Sequence, residues 1–249
     1  MGFQYKTVLM VGATSGIGAA MADRLVHEGA KVIAVGRRQD RLDAFIQKHG
    51  SEKASSKKFD VTDQDGMDGF VTDVTTTHPD IDCLFLNSGL SIPIDLSRPS
   101  KTDMSSFHKQ ITTNFTALAD LSVKFLPFLM ARKSETSIIF LSGYSASKAA
   151  LNSFVMCLRD ELKESSVKII EIWPPVVQTE LHDYAGEKGR SMGMPVDEFT
   201  DKAFKGMISG VDQVTIGAVG PQEAFTELVQ KRQTAFENLS TIMRAHPLI

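Results

Sequence analysis

Short apolar runs alternate with amphipathic stretches along nearly the whole chain. Residues 6–11 (KTVLMV) form an apolar run that ends in glycine, the mark of a buried strand. A helical pattern follows through Ala20, Met21, Leu25 and Val26, and Gly29 closes it. Residues 31–35 read as a second strand and 57–61 (KKFDV) as a weaker third. Polar helical patterns lie at 40–48 and 65–77, the latter stopped before Pro79. The run 81–86 (IDCLFL) is apolar enough for a central parallel strand. Residues 90–101 are a loop with two prolines. Residues 103–131 place Phe107, Ile111, Phe115, Leu118, Leu121, Phe125 and Leu129 three or four apart, so one long helix with a buried stripe is expected. A fifth strand (137–141), a helix (146–163) and a sixth strand (167–173) follow. Pro174-Pro175 bars a helix directly after that strand. Residues 181–195, polar and glycine-rich, read as a mobile lid. A helix (199–209), a short strand (213–217) and a final helix (221–244) complete the chain. This alternation predicts one α/β domain over residues 1–249, with a doubly wound, mostly parallel sheet.

Composition narrows the class. A chain of 249 residues, 42% hydrophobic and 23% charged, buries a sizeable core as an ordinary globular protein. The net charge of -3 argues against nucleic acid or an anionic membrane as partner. No apolar run reaches membrane-spanning length, and a strand so near the N-terminus leaves no room for a signal peptide. Cys83 and Cys157 each sit in an apolar run, so both are expected to be buried thiols in a reducing, cytoplasmic compartment. The six histidines lack metal-ligand spacing, and no nucleophile-elbow pattern surrounds Ser142.

Three stretches carry chemistry. Gly12-Ala13-Thr14-Ser15-Gly16-Ile17-Gly18 lies between the first strand and the first helix. Glycines there allow a tight turn and close approach of a diphosphate, and the helix N-terminus offers free N–H groups to it. The second strand ends in Gly36-Arg37-Arg38, where an acid would hold the ribose 2′-hydroxyl of NAD. Two guanidinium forks suit the 2′-phosphate of NADP instead. Tyr144 and Lys148 are one helical turn apart, and an ammonium beside a phenol favours its ionised form.

Together with Asp60-Val61, Asn87-Ser88-Gly89, Asn114 and Pro174-Pro175-x-x-x-Thr179, these motifs resemble the short-chain dehydrogenase/reductase family over essentially the whole chain. The resemblance implies a Rossmann-type fold and NADP(H)-dependent interconversion of a carbonyl and an alcohol. Tyr144 would be the general acid/base, and Lys148 would lower its pKa and hold the nicotinamide ribose. Asn114 would hold a relay water, and Ser142 would bind the substrate oxygen. Thr179 and the backbone near Val177 would position the carboxamide. Asp60, Val61, Asn87, Ser88 and Gly89 would line the cofactor. The resemblance also implies a homodimer or homotetramer, paired through the helices at 103–131 and 146–163.

Some positions depart from the family. Val11 stands for a usual Thr, Ser88 for Ala and Pro175 for Gly. More seriously, Ser142 is only two residues before Tyr144, where the family has a sizeable loop. Either the connection is truly short and the site rewired, or a loop between Leu141 and Tyr144 is absent from this sequence. The intact remaining motifs favour the second. A rewired site would fit a non-catalytic NADP(H)-binding sensor or scaffold of the same fold.

Overall fold

The computed structural model describes residues 2–142, 145–217 and 221–246. Seven parallel strands form one sheet: β1 (Thr7–Val11), β2 (Lys31–Gly36), β3 (Ala54–Lys58), β4 (Cys83–Leu86), β5 (Thr136–Leu141), β6 (Val167–Trp173) and β7 (Gln213–Thr215). Their order is β3-β2-β1-β4-β5-β6-β7. The order reverses between β1 and β4, and loops diverge there to opposite faces, opening a crevice at the carboxyl ends.

Both faces are covered, which is why the strands read as continuous apolar runs. On one face Met10, Phe85 and Ile172 pack with residues of α1 (Gly16–His27), α2 (Gln39–His49) and α8 (Val196–Ile208), among them Met21, Phe45 and Phe199. On the other, Leu9, Leu84 and Phe140 meet α3 (Met67–Thr77), α5 (Ala117–Met130) and α6 (Ala146–Glu161) through Phe70, Phe125 and Val155. Helix α4 (Met104–Ile111) precedes α5, and the short α7 (Gly186–Arg190) precedes α8. The last helix, α9 (Gln222–Ala245), has no buried side chain among those described. It is held to α6 by polar pairs, including Arg244 to Asp160 at 2.7 Å, and its Phe225 ring packs edge-on against Trp173.

Four sequence expectations change. Strand β3 starts at Ala54 and ends at Lys58, not at 57–61. It is an edge strand with few apolar residues; the Phe59 backbone still donates to the Gly36 carbonyl at 2.9 Å, but its ring stacks on Phe70 at 4.1 Å. The 103–131 helix runs unbroken from Met104 to Met130 but is not regular, because a π-helical turn at Thr112–Thr116 lies between α4 and α5. Cys83 is buried as expected, but Cys157 is exposed on the outer face of α6. Residues 181–195 are not a bare loop: they hold a helical turn (Glu180–Ala185), α7, and a bridge between Val177 and Met194. Among the described residues no helix is long and apolar enough to cross a membrane.

Candidate active site

The loop after β1 is shaped by contacts that leave no space for side chains. Gly12 has φ +89°, and a Cβ on it would lie 2.8 Å from the Ser88 backbone nitrogen. A Cβ on Gly18 would be driven into the Gly12 carbonyl and the Asn87 amide. Asn87 Nδ2 donates to that same carbonyl at 3.0 Å, so the loop after β4 is tied onto the glycine loop. Asn87 Oδ1 is buried and has no partner among the described residues. Gly16, at φ +52°, packs against the Thr179 side chain.

The adjoining end of β2 gathers positive charge. A Cβ on Gly36 would strike the Thr14 side chain, so that glycine admits Thr14 against the strand end. Arg38 donates from Nε to Thr14 Oγ1 at 3.2 Å and from Nη2 to Ser15 Oγ at 2.5 Å. Ser15 is the residue before α1, and its hydroxyl makes no bond to the helix. Arg38 Nη1 donates to Glu180 Oε2 at 2.8 Å, and Arg41 Nη1 pairs with Glu180 Oε1 at 2.7 Å. Arg41 also donates to the Thr14 carbonyl at 3.0 Å. Arg37 is more exposed and lies 3.5 Å from Asp60 Oδ2. Asp60 Oδ1 accepts from the Thr62 backbone and hydroxyl, and those bonds with Arg37 hold its carboxyl below the usual range against the pull of partial burial. Val61 is buried in the α3 face.

A second cluster forms where the ends of β4 and β5 meet α5 and α6. Asn114 sits in the π-helical turn and is buried. Such wide turns re-aim side chains and recur at functional sites. Its Oδ1 accepts from Leu90 N at 2.8 Å and its Nδ2 donates to Leu90 O at 2.9 Å, as a neighbouring strand would. Nδ2 also donates to Ser147 Oγ at 3.1 Å, which fixes the first turn of α6. One helical turn earlier Gln110 clasps Ile92 in the same two-bonded way. Lys148 Nζ donates to the Leu141 carbonyl at 2.6 Å, and a Cβ on Gly89 would lie 4.0 Å from that nitrogen. The Lys148 side chain as a whole is half-buried, but its amine is well inside. Desolvation pushes its pKa down to about 8, with the Glu171 carboxylate pulling the other way.

Ser142 is buried, and its hydroxyl donates to Glu171 Oε1. Glu171 is fully buried in β6, and Asn152 Nδ2 donates to both its oxygens at 3.0 and 3.1 Å. Burial raises its pKa, opposed by Ser142, Asn152 and Arg159. Arg232 of α9 donates to Asn152 Oδ1. At the end of β6, Val177 is buried, and Thr179 accepts from Leu181 N at 3.4 Å. Gln178 Nε2 donates to Ser191 O and Gly193 O, both at 3.0 Å. Gly143 and Tyr144 lie outside the described residues, and so does the question of how Leu141 is joined to Tyr144.

These residues fit a dinucleotide. The glycine cradle excludes Cβ atoms, Asn87 keeps a buried unpaired acceptor beside it, and Arg38, Arg41, Thr14 and Ser15 offer donors at the end of β2. The short chain dehydrogenase family model matches residues 6–189, which takes in both clusters. The chain belongs to the short-chain dehydrogenase/reductase family. Within the family, it is 30% identical to the uncharacterized oxidoreductase DltE of Bacillus subtilis, over 84% of this chain and 87% of the relative. That alignment runs over 223 positions, more than the residues this chain brings to it, so DltE carries residues with no counterpart here. A serine 3-dehydrogenase of Rhizobium radiobacter is 33% identical over 70% of this chain and 73% of its own. Among solved structures, a short-chain dehydrogenase from Sphingobium yanoikuyae in complex with NADPH matches with a TM-score of 0.80 at 24% identity, over 93% of this chain and 95% of that one. That likeness supports the fold.

Sequence reasoning on this short-chain dehydrogenase missed Gln110, Glu171, Glu180 and Arg41. Glu171 had a readable signal, a lone acid inside the apolar run VKIIEIW. Glu180 and Arg41 had none, because their meaning depends on two loops far apart in sequence.

Proposed function

We propose that this chain is an NADP(H)-dependent oxidoreductase that interconverts a small carbonyl compound and the corresponding alcohol. The observation that carries it is the buried amine of Lys148, held on the Leu141 carbonyl one helical turn from Tyr144 in sequence and beside Gly89. NADP(H), when bound, supplies or accepts the hydride. The glycine loop and the N-terminal end of α1 would hold its diphosphate, with Asn87, Ser88 and Gly89 along the same edge. Arg37 and Arg38 would take the 2′-phosphate, with Arg41, Thr14 and Ser15 beside them. Asp60 and the backbone at Val61 would face the adenine, and Thr179 and the backbone near Val177 the carboxamide.

Tyr144 would give a proton to the nascent alkoxide in reduction and take it back in oxidation. The charge on Lys148 makes that phenol a stronger acid. Asn114 fixes Leu90 and Ser147, so it would keep the floor of the pocket in register with α6. The 181–195 segment would act as the substrate lid, and α4–α5 with α6 would pair chains into a homodimer or homotetramer, a state that a solution mass measurement checks. A screen of small ketones and aldehydes with NADPH and NADH side by side tests the activity: NADPH oxidation with any of them is the expected result.

One observation favours a second reading. The Ser142 hydroxyl is already donated to Glu171, and only one residue separates it from Tyr144. A site without a substrate-binding hydroxyl would bind NADP(H) as a sensor or scaffold. Stoichiometric NADPH binding with no turnover across the panel would select that reading.

A further inference from the structure

Glu180 directly follows Thr179, at the nicotinamide end of the proposed cofactor groove, yet its carboxylate reaches the arginines at the adenosine end. Each oxygen takes one guanidinium: Oε2 receives Arg38 at 2.8 Å and Oε1 receives Arg41 at 2.7 Å. Arg38 spends its other donors on Thr14 and Ser15, so the two arginines and two hydroxyls converge on one small region where both guanidinium groups pair with Glu180. A carboxylate bridging two guanidinium groups has the charge and fork geometry of a phosphate oxygen pair. Those bonds hold the Glu180 carboxyl below its usual range, so it is an anion at neutral pH.

We propose that Glu180 is a built-in competitor for the 2′-phosphate: it occupies Arg38 and Arg41 until that phosphate displaces it. The proposal rests on the NADP(H) reading above. Displacement exchanges one anion for another, so no charge is left unpaired on the arginines. It also frees the residue next to Thr179, at the start of the segment that includes α7. NADH carries no 2′-phosphate, so it gains nothing from Arg38 and Arg41 and leaves the Glu180 pairs in place: Glu180 tempers NADPH affinity and leaves that of NADH alone. All three partners are partly exposed, so each ion pair is modest and an incoming dianion can outcompete the pair.

The test is equilibrium binding, with no turnover needed. NADPH and NADH affinities are measured by cofactor fluorescence for the wild type, Glu180→Gln and Glu180→Ala, with circular dichroism to confirm folding. The expected result is NADPH binding about three- to tenfold tighter in both variants, with NADH affinity changed less than twofold. Unchanged or weaker NADPH binding would overturn the proposal, since a carboxylate that clamps the bound cofactor would lose affinity on removal. Equal tightening of both cofactors would also overturn it, as a general charge effect on the diphosphate. Preference of the wild type for NADH would instead defeat the NADP(H) reading itself. If the wild type prefers NADPH and the ratio does not move in the variants, only the Glu180 proposal falls.

Discussion

The loop after β1 and the connection after β5 flank the same strand, β4, and are built on different principles. The first is made of backbone. Gly12, Gly16 and Gly18 are fixed by neighbours that leave no space for a Cβ, or by a positive φ, or both. The second is made of side chains: Ser142 on Glu171, Lys148 on Leu141, and Asn114 on Leu90 and Ser147. A backbone site has no freedom of composition, because each glycine is demanded at its own position. A side-chain site depends on reach, so the length of one connection can remake it while the strands stay in place.

That contrast can be broken at four points. The largest effect belongs to Tyr144→Phe, which should lower kcat for carbonyl reduction by about 10²- to 10⁴-fold while NADPH affinity is kept. Retained activity would move the chemistry to another residue. Gly18→Ala comes next. Its methyl meets the Asn87 side-chain amide and the Gly12 carbonyl, and the carbonyl is backbone that cannot yield without moving the loop. A loss of about 3 kcal/mol in unfolding free energy, with NADPH binding abolished, is expected from denaturant titration and fluorescence. Unaltered stability would show that the loop is looser than its contacts imply. Arg38→Leu removes the fork shared by Thr14, Ser15 and Glu180. NADPH should bind about 10- to 100-fold more weakly and NADH about equally well.

The smallest effect is a pH dependence. With the Lys148 pKa near 8, the amine is charged below that value and neutral above it. Reduction should fall by up to about tenfold per pH unit above pH 8, as the charge that assists Tyr144 is lost. Stability moves the opposite way. The unfolded lysine stays protonated to about pH 10.4. Between the two values only the unfolded chain holds the proton, so this group's contribution to stability rises with pH. A rate profile flat from pH 7 to 10 would mean that the Lys148 charge does not limit the reaction.

The comparison also explains what the sequence could and could not reveal. Parallel order, both helical layers and the glycine loop were legible, because burial on two faces and exclusion of Cβ leave a mark at each position. The edge strand β3 was misplaced because ASSKK carries little apolar signal and the ring that looked like its core, Phe59, stacks on α3 instead. The π-helical turn was hidden, since one extra residue in a turn hardly disturbs a three-and-four pattern. Cys157 looked buried because its neighbours in sequence are apolar, but it falls on the outer face of α6. The Glu180 pairing could not be read, because it joins residues about 140 apart.

Helix α9 has a consequence of its own. With no buried described side chain along 24 residues, it has little apolar area to lose on opening. In a hydrogen-exchange experiment its amides should exchange through local fraying, well before those of β1, β4 and β5 open. A protease should cut there first and leave the sheet standing. Yet Arg232 on this helix holds Asn152, which holds Glu171, which holds Ser142. Each fraying event would therefore be felt as a change in amide protection at the carboxyl end of β5, near the proposed site of chemistry and several contacts away from where the chain let go.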